Sequence, residues 1–140
     1  MFKLLNADDV GRELVRVGVV TSTDPVNVTC RVTFEDKNNL VSGDLRILHR
    51  GSVSTKDYWM PAINDEVVCI FPTNDENYCD GFIVGTLFND KDKPNANKQE
   101  ITRIDFSDGT FIEHNAKSRT LKIECAGNIY IKGKRIYLNE

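Results

Sequence analysis

The chain has 140 residues, 28% of them charged, and a formal net charge of -3 at pH 7. That length holds one ordinary domain, or a small domain with an appendage, and the mildly acidic balance argues against a nucleic-acid partner. Four cysteines, Cys30, Cys69, Cys79 and Cys125, form no CxxC pair and stand near no histidine cluster, so neither a metal nor a cofactor is expected.

Residues 1–13 read as an N-terminal segment, with residues 6–13 a short helical turn that places Asp8 and Asp9 near its positive end. The apolar start at Met1 is too short for a signal peptide, and no run of about 18 apolar residues is present to cross a bilayer. Cys30, Cys69 and Cys125 sit inside apolar strand patterns, where free thiols suit assembly in a reducing cytoplasm.

From residue 14 to 88 the period is two. Strands are expected over 14–23, 27–34, 40–48, 58–61, 66–71 and 82–88, with a turn at Asp24-Pro25 and polar loops at 35–39 and 49–57. Val67 to Phe71 and Phe82 to Val84 are continuous apolar runs, which predict strands buried on both faces. Five or so strands with almost no helix signal fit a small closed barrel, with Gly18 and Gly85 where strands coil sharply. Its expected core includes Val28, Cys30, Val32, Trp59, Val67, Ile70 and Ile83. This stretch carries a net -4, and Lys56 is the only cation near Trp59, so the tryptophan reads as core or subunit contact rather than a base-stacking platform.

Residues 89–100, half of them charged, read as a solvated linker. Residues 101–140 then form five short alternating segments, 102–106, 110–114, 120–124, 128–132 and 135–139. Leu121, Ile123 and Cys125 fall on one side of a strand, and Lys122 and Glu124 on the other. About 40 residues is the lower limit for an independent hydrophobic core, so such a ribbon needs cover, and identical copies supply it most economically. The expected buried positions of the resulting needle are Ile104, Phe106, Ile112, Leu121, Ile123, Ile129, Ile131, Ile136 and Leu138, with Gly109, Gly127 and Gly133 at its turns. Phe111 and Ile112 point to opposite faces, and His114 reads as a solvated turn residue. No nucleophile, base or metal pattern is present, and catalysis is not expected.

Gly18-Val-Val-Thr-Ser-Thr-Asp-Pro25, Cys30-Arg-Val-Thr-Phe34, Tyr58-Trp-Met-Pro-Ala-Ile-Asn-Asp-Glu-Val-Val68 and Asp80-Gly-Phe-Ile-Val-Gly-Thr-Leu87, followed by Phe106-Ser-Asp-Gly-Thr-Phe111, together resemble the phage baseplate assembly protein V family. These are central spikes of contractile tails, related in their barrel to the VgrG spike of type VI secretion. The resemblance implies an all-β chain, with an OB-fold barrel that trimerises about the tail axis followed by an intertwined triple-stranded β-helix needle. It further implies a homotrimer at the baseplate centre of a virion or tail-like particle, a tail hub protein as partner and transient contact with the cell envelope.

Two positions depart from the family pattern. Asn64 stands where members often have glycine, and the chain ends without the His-x-His motif that binds iron at many needle tips. Either a separate PAAR-like tip protein caps the needle, or it closes by packing alone. Two other readings remain open on the residues. One is an OB-fold module for single-stranded nucleic acid or oligosaccharide, and the other is an adaptor whose ribbon is completed by a partner strand.

Overall fold

The computed structural model describes residues 14–72 and 78–139, so the expected helical turn at 6–13 lies outside the described residues. Over those residues the protein is all-β with mixed sheets. The elements are β1 (Val15–Asp24), β2 (Thr29–Phe34), a short 3-10 turn (Glu35–Lys37), β3 (Leu40–Val41), β4 (Leu45–Ile47), β5 (Glu66–Ile70), β6 (Phe82–Leu87), β7 (Ile101–Asp105), β8 (Phe111–Asn115) and β9 (Thr120–Glu124). The chain divides between Asp92 and Lys93 into two compact units.

In the first unit the strand order is β1-β5-β6-β4-β2-β3, and an additional β1–β2 pairing closes five strands into a circuit. The β4–β6 pairing is parallel; the others are antiparallel. Alternation sends Val20, Cys30, Val32, Phe34, Val67, Cys69 and Ile83 inward, where they meet Leu45, Ile47, Phe71 and Tyr78 in one core. Burial raises the thiol pKa of Cys69 to about 12, so it behaves as a small apolar side chain.

Gly18 is required by a close approach. A Cβ there would stand 2.8 Å from the Thr33 carbonyl oxygen and 2.9 Å from Phe34 Cδ1, against backbone and core at once. Gly18→Ala is expected to destabilise the unit by about 1–3 kcal/mol through overpacking, measured as a lowered urea midpoint. Gly85 has no such neighbour; it adjoins a register irregularity in the β5–β6 ladder between Val68 and Cys69. Asn64 takes φ 78°, in the left-handed region that asparagine tolerates.

Several expectations are corrected. Ile70 is 37% exposed, because Val67 and Cys69 take the inward positions of β5 and the alternate residue turns out. The runs read as buried on both faces are covered on one face only. Residues 58–61 form no strand and have no ladder partners. Trp59 and Met60 still pack on the core as half-buried residues, and the Trp59 indole donates to the Leu48 carbonyl at 3.1 Å. Val28 is likewise half-buried against the core.

Candidate functional site

The second unit is a three-stranded antiparallel meander, β7-β8-β9. Residues facing each other across strands share a sheet face, so the register assigns every side chain. Ile104, Ile112 and Ile123 form one row, and Thr102, His114 and Leu121 the next row on the same face. Arg103, Glu113 and Lys122 form a row on the other face, beside Asp105, Phe111 and Glu124.

The two faces differ in how far they are satisfied. On the polar face Arg103 pairs with Asp105 and Glu113, both at 2.9 Å, and its guanidinium lies 3.8 Å from the Phe111 ring centroid. On the apolar face Ile104, Ile112, Leu121 and Ile123 are between 37% and 65% exposed. His114 belongs to this apolar face and lies within β8, a correction to its reading as a turn residue.

Arg103 holds the Asp105 carboxyl below its ordinary 3.8, chiefly through the side-chain hydrogen bond. The stabilisation is therefore present above pH 3.8 and is lost as pH falls through the lowered folded value. Arg103→Gln is expected to return the Asp105 titration midpoint, followed by carboxyl NMR, toward 3.8.

The β7–β8 turn is built by Gly109 at φ 93° and by Asp108, whose carboxylate accepts the Thr110 amide at 2.9 Å. Among the described glycines only Gly109 has a positive φ, while Gly127 lies in a bend. The β8–β9 turn uses Asn115, which accepts the Lys117 and Ser118 amides, and Arg119 at φ 57°.

Residues 125–139 leave β9 as a largely exposed chain with no ladder partner among the described residues. Its start is tied back where the Ala126 amide donates to Thr110 Oγ1 at 3.1 Å. The strands expected at 128–132 and 135–139 are thus not formed within one copy, because a strand needs a neighbour and the described residues provide none. Ile129, Ile131, Ile136 and Leu138 are all exposed there, as is Phe106 at the end of β7.

The first unit has an uncovered apolar face of its own. Val15, Ile70 and Phe82 align across β1, β5 and β6, and Val17 lies opposite Val68. Val15, Val17, Ile70 and Val84 are all exposed. The signal for this face was the unbroken apolar run from Val67 to Phe71, which marks two apolar faces without saying what covers the second. The run from Phe82 to Val84 gave the same signal for Val84, while nothing in the sequence patterning singled out Val15 or Val17.

The arrangement therefore offers two bare apolar faces and one unpaired extended segment, which suits assembly. No protein-family model matches the chain, and no curated protein matches it.

Proposed function

We propose that the chain is the homotrimeric central spike of a contractile tail or tail-like injection machine, acting mechanically. The observation that carries this reading is the second unit, with an ion-paired polar face, an exposed apolar face and 15 further residues, 125–139, that form no strand ladder with the other described residues. Hydrogen-bonding groups left unpaired at an edge, beside alternating apolar side chains, are complemented by another copy of the same ribbon. Three copies would wrap residues 101–139 into a triple-stranded β-helix, each large aliphatic side chain contributing about 1.5–3 kcal/mol on burial.

The five-strand circuit of the first unit supports an OB-fold barrel, a five-stranded Greek-key form. Its outer face around Val17 and Ile70 supports contact between barrels. In this account the barrels dock beneath a tail hub protein, and the needle carries contraction force into the cell envelope. The basic cluster of Lys132, Lys134 and Arg135 suits contact with an acidic tip protein.

Light scattering tests the reading. A molar mass three times the 15.9 kDa chain is expected, weakened or lost in a chain ending at Phe88. A concentration-independent monomer of the full chain would contradict it and favour the adaptor completed by a different protein.

A further inference from the structure

A cavity of about 340 Å³ opens on the first unit beside β4 and the loop that follows it, within the size range of ligand sites. Val28 and Ile47 supply apolar lining. One wall is held in place by His49, whose Nδ1 lies 2.8 Å from the Ile47 carbonyl oxygen and Nε2 3.0 Å from that of Trp59. Tyr58 stacks on the same imidazole with centroids 6.2 Å apart.

Charge distinguishes this place from the rest of the barrel. Arg16, Arg31 and Arg50 are paired with Asp36, Asp44 and Asp57. Arg46 and Lys56 have no carboxylate partner among the described residues, and both border this cavity. Asp57, also in the lining, is engaged by Arg50 at 2.9 Å. Two cations without a carboxylate partner thus border one apolar recess, the Arg46 guanidinium lying 5.8 Å from the Phe82 ring centroid, in a stretch whose net charge is -4.

Val28 adds a separate observation. It stands at φ 56°, a left-handed conformation that a β-branched residue adopts only under strain. Asp24 holds the preceding turn by accepting the Val26 and Asn27 amides at 3.1 and 3.2 Å. The result is an apolar side chain kept in the cavity lining against its backbone preference.

We propose that this cavity docks an acidic segment of a partner protein, seating one apolar side chain on Val28 and Ile47 and a carboxylate on Arg46 and Lys56. A polynucleotide would require a longer run of cations than these two. The recess is the size of a single side chain and its neighbours, and its charge complements a carboxylate. The site belongs to the first unit and is independent of how the second unit assembles.

The test titrates the ¹⁵N-labelled full chain with the capped peptide Glu-Leu-Glu-Phe and with its counterpart carrying Gln for Glu. Amide shifts are expected at Val28, Ile47, Gly51 and Lys56, with binding about fivefold weaker for the Gln peptide and weaker still at high salt. Lys56→Glu is expected to weaken the acidic peptide by at least about fivefold. Lys56 is exposed on a loop, so this variant keeps the fold, and Arg46→Gln provides an independent second variant. Equal affinity for both peptides, unchanged binding by both variants, shifts confined to another surface, or no binding at millimolar peptide would each overturn the proposal.

Discussion

Replacing Ile131 by aspartate is expected to disperse the proposed trimer while leaving the first unit folded. Within one chain Ile131 is 71% exposed, so the change removes almost no contact the chain makes with itself. A surface substitution of that kind shifts stability by no more than about 0.5 kcal/mol. In the proposed needle the same position would be covered, and three carboxylates would enter the interior together. The effective penalty for each buried ion is several kcal/mol, so the trimer does not survive at micromolar concentration. Tyr130→Asp is the matched control: Tyr130 is 89% exposed and alternates onto the opposite side, where a carboxylate meets water. Light scattering should therefore give monomer for Ile131→Asp and trimer for Tyr130→Asp. Equal masses for both would show that the alternation does not define a buried side.

Phe71→Ala is the substitution expected to damage the barrel most. The ring is fully buried, with centroids 5.8 Å from Phe34 and 4.8 Å from Tyr78, while Phe34 and Tyr78 lie 5.2 Å apart. Removing it opens a cavity inside a buried three-ring cluster, and buried Phe→Ala changes cost about 3–5 kcal/mol. A domain of this size has a total stability of about 5–15 kcal/mol, so the variant is close to unfolding at room temperature. Phe71→Leu keeps most of the volume and is expected to cost less than about 2 kcal/mol. Urea denaturation followed by Trp59 emission measures both, and a loss under 1 kcal/mol for Phe71→Ala would contradict the assigned core.

The all-β character is legible in the residues because alternation over short runs has a single physical reading. Cys30, Val32 and Phe34 alternate, and all three are buried. Ile70 shows the limit: in a continuous apolar run any residue looks like core, and only the strand's phase against its neighbours decides which ones turn inward. Residues 58–61 look like a strand by composition, yet Trp59 and Met60 are held by packing and by one indole hydrogen bond rather than by a ladder. Arg103 was invisible as a structural centre, since its partners Asp105 and Glu113 meet it only once the β7–β8 register is set. The extended segment at 128–139 was legible as strand pattern but not as unpaired backbone, because pairing depends on neighbours that local sequence does not specify.

Hydrogen exchange in the purified full chain tests the central claim most directly, residue by residue over 128–139. One copy gives these amides no ladder partner. If identical copies pair there, the amides of Ile129, Ile131, Ile136 and Leu138 exchange at least about a hundredfold more slowly than in an unstructured peptide, with protection lost on dilution into Ile131→Asp protein. Exchange at the unstructured rate across the segment, with β1 to β6 still protected, would contradict the homotrimeric needle.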